Sequence, residues 1–405
     1  MSPATVRGST QLLFDCIRGV SKMVEGMHNT IATSSTSWLG GASEILPVRA
    51  MRKPPAYPII QHVSGHLGTG VAGFLNWRQG QVDQGQIDDV ELGWVAALNG
   101  ICGDHLEATG NALALPMRFV ERSGDREMMA GEGLSDYAHA SPNIVVLVHG
   151  LCLSDQNWSA RDSNGLVGPD LGQQLLAELG LSPVYLRYNS GRHISTNGRE
   201  LAEKLDELVA NWPVPVESIS LVGHSMGGLV LRSACWYADQ EQRPWLKRLQ
   251  RILFLGTPHH GSPLEKAGHA FDVAMRSIKY VAPLMIGNRR SAGIKDLRYG
   301  NLLDEDWQNA DQDGLGEDSR QVVPLLPEVD YFLAAATIGN SPQDVKGYLL
   351  GDMLVRVGSA RGSHPDRNRS LGFKDENCRV FPEKDHFDLL SDERVHRQVI
   401  RWFNS

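Results

Sequence analysis

Cysteine is scarce in this chain and nowhere closely paired. The 405 residues hold five, Cys16, Cys102, Cys152, Cys235 and Cys378, widely spaced and without a CxxC pair. That excludes a disulfide framework as the basis of the fold and offers no zinc-ligand spacing, so no metal and no cofactor is expected. Reduced thiols and a cytoplasmic location are the matching expectation. Long apolar runs are also missing. No stretch of about 18 strongly apolar, uncharged residues occurs, so no membrane span is expected, and only peripheral membrane contact stays open. Residues 1–20 carry Asp15 and Arg18 among their apolar positions and lack the basic start and unbroken apolar core of a signal peptide. Positive charge is in deficit: 39 Lys and Arg stand against 47 Asp and Glu, a net charge of −8. With no basic stripe of interleaved aromatics either, nucleic acid is not an expected partner.

What is present is an ordinary core-forming composition, 41% hydrophobic and 21% charged. The pattern divides the chain. Over residues 1–111 it is helical. Leu13, Ile17, Val20, Val24, Met27 and Ile31 share one helix face, a second candidate helix carries Ile60, Val63, Leu67 and Phe74, and a third runs from about Asp89 to Leu106. Residues 32–43, rich in Ser, Thr and Gly, read as loop. From residue 112 to 405 short apolar runs alternate with helices. Strands are expected over 143–148, 183–188, 219–222, 251–255, 331–337 and 378–381. Helices are expected near 170–179, 199–210, 226–237 and 392–403. That alternation predicts an α/β fold: a mostly parallel, doubly wound sheet with helices on both faces. Residues 261–328 break the rhythm without a good strand. Leu264, Ala267, Phe271, Met275, Ile278 and Ala282 form a helical stripe there, a candidate cap or lid.

Gly223-His224-Ser225-Met226-Gly227 matches G-x-S-x-G. The match alone is weak, because glycine is about a tenth of the chain. Its setting strengthens it: a buried strand leads in and a helix leads out, the strand–turn–helix that presents a serine nucleophile. The helix N-terminus also places amides and partial positive charge beside the reacting oxygen. His149-Gly150-Leu151 follows an earlier strand, where such folds take the second oxyanion donor. The amides of Leu151 and Met226 are the expected pair, and losing one such donor costs on the order of 3 kcal/mol in the transition state. His149 precedes the serine and reads as a backbone-bonding residue of that loop.

A serine needs a base and the base an orienting carboxylate, in the chain order Ser, Asp or Glu, His. Asp344 and Asp352 both follow the strand at 331–337. Asp352, behind a glycine and before an apolar run, is the expected acid, and Asp344 reads as a solvated turn. Of the histidines that follow, His386 lies just past the last strand and is the expected base. His364 sits in a polar loop and His396 in the terminal helix.

Together these motifs resemble the α/β-hydrolase superfamily, and within it bacterial esterases and lipases. The resemblance covers residues 112–405. The blocks GTPHHGSP (256–263) and GDMLV (351–355) look like the lipase branch that includes the GPI inositol-deacylases, and DHFDLL (385–390) completes the set. The resemblance implies Ser225 as nucleophile, Asp352 as acid and His386 as base, acting on a small-molecule or lipid ester. An acyltransferase would use the same residues, and a non-catalytic lipid-binding protein could share the fold. Three further signals read as structural. His259-His260 offers no third metal ligand, residues 304–318 read as a solvated acidic loop whose calcium-loop pattern fails at Arg320, and residues 189–193 form either a turn or a pocket wall.

Overall fold

The computed structural model describes residues 8, 89–121, 126–128, 137, 140–159, 170–262, 290–308, 318–340, 352 and 354–405. The stripes at 13–31, 60–74 and 264–282, and Asp344, lie outside them. The chain divides into two compact units. One comprises residues 1–92, 106–114 and 278–289, the other 93–105, 115–277 and 290–405. In the first, the described residues include the turn after helix α1 (Asp89–Ala108), where Asn111 Oδ1 accepts from the Leu113 amide at 3.0 Å.

The second unit holds an eight-stranded sheet. In chain order its elements are β1 (Arg118–Glu121), β2 (Arg126–Met128), β3 (Asn143–Val148), α2 (Leu171–Leu179), β4 (Ser182–Arg187), α3 (Ile194–Asn211), β5 (Ser218–His224), α4 (Met226–Gln240), β6 (Leu249–Leu255), α5 (Ala292–Tyr299), α6 (Asp304–Gln308), β7 (Asp330–Thr337), α7 (Val357–Ala360), β8 (Cys378–Pro382) and α8 (Glu393–Phe403). Across the sheet the order is β2-β1-β4-β3-β5-β6-β7-β8. From β4 to β8 every neighbour pair is parallel, and β1 runs antiparallel to both β4 and β2.

The central strands are apolar on both faces because both are covered. Alternate residues of β3 serve opposite layers, as a strand's two-residue period requires. Ile144, Val146 and Val148 pack with Leu201 and Leu205 of α3 and with Leu229 and Val230 of α4. Val145 and Leu147 pack with Leu171 and Leu175 of α2 and Val395 and Val399 of α8.

This wiring places a crevice. Helix α2 carries the chain from β3 outward to β4, α3 carries it back past β3 to β5, and α4 carries it onward to β6. The connections leaving β3 and β5 thus turn in opposite directions, and a crevice opens at the carboxyl ends of these two neighbours. The loop containing Gly150 and the turn containing Ser225 both leave the sheet there.

Residues 93–105 of α1 are held to this unit by polar contacts. Asn189 Nδ2 donates to the Gly103 carbonyl (2.9 Å), Ser291 Oγ to that of Gly100 (2.6 Å), and the Ala292 amide to Asp104 Oδ2 (3.1 Å). Asn189 Oδ1 also accepts from the Gly191 amide, so residues 189–193 form a turn braced against α1. The expectation of a solvated loop at 304–318 needs correcting at both ends. Asp306 is buried and its carboxylate takes the amides of Leu302, Leu303 and Gln321, while Asp318 grips Arg320. An acidic run reads as solvent-facing by composition alone, but here its carboxylates satisfy backbone donors that would otherwise be buried unpaired.

Candidate active site

Strand β5 ends at His224 and α4 begins at Met226, so Ser225 alone makes the turn. Its backbone sits at φ 53° and ψ −123°, a conformation that costs a side-chain-bearing residue on the order of 1–3 kcal/mol. Two bonds hold it: the Ser225 amide donates to the Leu255 carbonyl (2.8 Å), and its carbonyl accepts from the Gly228 amide (3.1 Å). A Cβ at Gly223 would lie 2.6 Å from backbone atoms of Gly228, and one at Gly227 would lie 2.3 Å from the Val148 carbonyl oxygen. These glycines let β5, α4 and the end of β3 close around the serine.

The Gly150 loop runs beside it, since a Cβ at Gly150 would stand 3.0 Å from that of Ser225. Among the described residues no hydrogen bond occupies the amide of Leu151 or of Met226. Met226 opens α4, where the first-turn amides have no partner within the helix. His149 holds the loop from behind. Its Nδ1–H donates to the Gly150 carbonyl (2.9 Å), its ring stacks on Tyr188, and Tyr188 Oη donates to the His149 carbonyl (2.8 Å).

Asp352 and His386 meet on the same side of the sheet, past β7 and β8. Asp352 Oδ1 accepts the amides of Leu354 (3.0 Å) and Val355 (2.7 Å), a turn that fixes the carboxylate. Its Oδ2 accepts from His386 Nδ1 at 2.7 Å, and both residues are buried. His386 is aimed by its flanks: Asp385 Oδ1 accepts the amides of Phe387 and Asp388, and Leu389 and Leu390 anchor the segment in the core. With Nδ1–H as the donor in that bond, the imidazole lone pair lies on Nε2. That nitrogen is buried, without a hydrogen-bond partner, and its ring lines the same small cavity as Ser225. The cavity is about 50 Å³ and otherwise mainly apolar, with Leu151, Leu153, Leu354 and Phe387 in its wall.

The sequence reading missed two supports. Ser262 Oγ donates to the Leu354 carbonyl and so braces the Asp352 turn. His224, between the elbow's first glycine and its serine, reaches from β5 to the His386 carbonyl through Nε2 (3.2 Å). A carbonyl only accepts, so the His224 proton is on Nε2, and burial pushes its pKa well below the ordinary histidine value. Two fully buried imidazoles are thus kept neutral, since burial also lowers His149 to about 4. The sign follows from the unfolded chain, where histidine titrates near 6.5: below that pH the unfolded state binds protons the folded state refuses. Stability is fully present above pH 6.5 and falls as pH drops toward 4. His149 alone accounts for about 3 kcal/mol over that window. Urea unfolding at pH 7, 5.5 and 4.5 is expected to show this loss, and a flat profile would contradict it.

The comparisons with known proteins bear on the same segment. Residues 139–300, which include the Gly150 loop and Ser225, match the family described as "Putative serine esterase (DUF676)". No curated protein matches the chain. Among solved structures, the chain is similar to the mature lipase BlEst2 of Bacillus licheniformis, at 20% identity over 66% of this chain and 94% of that one, with a TM-score of 0.40. It is similar to Aspergillus fumigatus lipase B at 12% identity over 73% and 57%, TM-score 0.41, and to phospholipase PlaB of Legionella pneumophila at 16% over 65% and 59%, TM-score 0.40. Among the described residues no helix is long and apolar enough to cross a membrane. A segment of the chain thus matches a serine-esterase family, and the mostly parallel sheet, with a serine on a strained strand-to-helix turn at its switch point, has the α/β-hydrolase fold.

Proposed function

We infer that the protein hydrolyses carboxylic esters through an acyl-enzyme on Ser225. The observation that carries this reading is the 2.7 Å bond from His386 Nδ1 to Asp352, which leaves Nε2 buried and unpartnered in the cavity that Ser225 lines. In the mechanism, Nε2 takes the Ser225 proton as Oγ attacks the ester carbonyl. The imidazolium so formed is stabilised by the Asp352 carboxylate and then protonates the leaving alcohol. In this reading the amides of Leu151 and Met226 receive the oxyanion, and two fixed donors act only on charge that develops during reaction. Water, deprotonated by the same Nε2, then releases the acid. The apolar wall of Leu151, Leu153, Leu354 and Phe387 favours an apolar acyl group.

The test is labelling with a fluorophosphonate together with turnover of p-nitrophenyl esters of rising acyl length. Wild type is expected to label and turn over, and Ser225→Ala to do neither. A folded wild type that neither labels nor hydrolyses any of the series would refute the reading. A wild type that labels but hydrolyses only with an alcohol acceptor present would make it an acyltransferase.

A further inference from the structure

A second, larger cavity, of about 270 Å³, lies across the loop that follows β6. Pro258 and Ser262 of that loop line the small cavity with Ser225, whereas His259 and His260 line the large one. The wall of the large cavity is cationic. Arg232 of α4, Arg320 and Arg369 face it, with Asp306 the one carboxylate among its lining residues.

The guanidinium donors there are not all taken up. Asp306 is fully engaged by three backbone amides. Asp318, behind the wall, is held by Arg320 through both oxygens and is approached by Arg369 at 3.6 Å. Arg369 is also approached by Asp366 at 3.8 Å through Nε, but its terminal nitrogens and those of Arg320 retain N–H donors beyond those used. Arg232 has less still. It is buried, one terminal nitrogen donates to the Val323 carbonyl (2.6 Å), and its Nε has no partner. Among the described residues no carboxylate pairs with it. Burial lowers its pKa only to about 10, so it is charged at neutral pH. The histidines add no charge: burial drives His259 well below its ordinary value and His260 to about 4. Both ring nitrogens of His259, another residue of the cavity wall, are buried without a partner. The Asp306 charge acts on Arg232 only from a distance, and a buried guanidinium with no carboxylate bonded to it is costly, so an anion seated against it would lower that cost.

We propose that this cavity is an oxyanion-binding site, separate from the Ser225 cavity, in which Arg232, Arg320 and Arg369 hold the phosphate or carboxylate group of a ligand. Guanidinium donors in a fork suit either group, with geometry and charge both contributing. The site needs no ester chemistry, so it stands independently of the function proposed above. It abuts the loop that also walls the Ser225 cavity, which gives a bound anion a mechanical route to the acyl pocket.

Titration calorimetry of the full-length protein tests this, with inorganic phosphate in one arm and acetate in the other. At least one anion is expected to bind wild type and Ser225→Ala alike. Arg369→Ala and Arg320→Gln, on the cavity rim, are each expected to weaken it about tenfold or more. Arg232→Met is expected to abolish it, and should that variant not fold, the two rim variants decide. Binding only of phosphate assigns a phosphate-bearing ligand, and binding only of acetate a carboxylate. Failure of both anions to bind, affinity unchanged in both rim variants, or an anion that blocks fluorophosphonate labelling of Ser225 equally in wild type and rim variants would overturn the proposal.

Discussion

Ser225→Ala and His386→Ala are each expected to lower kcat for ester hydrolysis by on the order of 10⁶-fold, and the double variant by no more. The two act as one unit: an unactivated serine and a base with nothing to deprotonate are equally idle. Asp352→Asn is the more informative change. Oδ1 of Asp352 already accepts two amides, from Leu354 and Val355. An asparagine would keep its carbonyl oxygen at those amides and turn its NH₂ toward His386 Nδ1. That nitrogen would have to accept, so the ring proton would move to Nε2, the atom that must receive the serine proton. The geometry would survive and the base would not, and a loss of about 10⁴-fold in kcat is expected with KM little changed. Steady-state kinetics on a p-nitrophenyl ester, with circular dichroism to show that the variant is folded, checks this. A folded Asp352→Asn enzyme within tenfold of wild type would remove Asp352 from the mechanism.

How much of this could be read in advance depended on whether the signal was local. The parallel strands were legible because burial on both faces leaves runs such as Asn143–Val148 almost wholly apolar, and such runs admit few other readings. The antiparallel edge was not. β1 is only Arg-Phe-Val-Glu, and β2 is three residues, too short for any periodicity. Helix α3 begins at Ile194, five residues before the expected start near Arg199. Its first turns hold Ser195, Asn197 and Gly198, poor helix formers that are nonetheless buried, so packing overrides propensity. In the site, Ser225 and His386 stood beside strand ends and turn residues, and Asp352 behind a glycine. His224 carried no such mark. Its partner is the carbonyl of a residue 162 positions away, and nothing in the order of residues around it encodes that contact. The same holds for Arg232, which reads as one more polar residue of an amphipathic helix until α4 is packed and the guanidinium proves to be enclosed.

The elbow glycines give the largest expected effect on folding. Gly227→Ala places a methyl carbon 2.3 Å from the Val148 carbonyl oxygen and 2.6 Å from that of His149. Both obstacles are main chain at the end of β3, so no rotamer change relieves the overlap. Either α4 moves away from the sheet or the Gly150 loop moves away from Ser225. Moving α4 would uncover Leu229 and Val230, which pack on the core face of β3, and moving the loop would take Leu151 from the oxyanion position proposed for it. The expected loss is at least about 3 kcal/mol of stability, beyond the usual range for a single added methyl. Gly93→Ala supplies the control. Gly93 lies exposed in α1, and the methyl that alanine adds there would meet nothing within 4 Å. That substitution should stabilise by about 0.5–1 kcal/mol through helix propensity alone. Urea denaturation of both variants against wild type reads the two signs directly. If Gly227→Ala lost no more stability than a surface substitution, the close approach of α4 to β3 would be wrong, and the placement of the Met226 and Leu151 amides around the serine would fall with it.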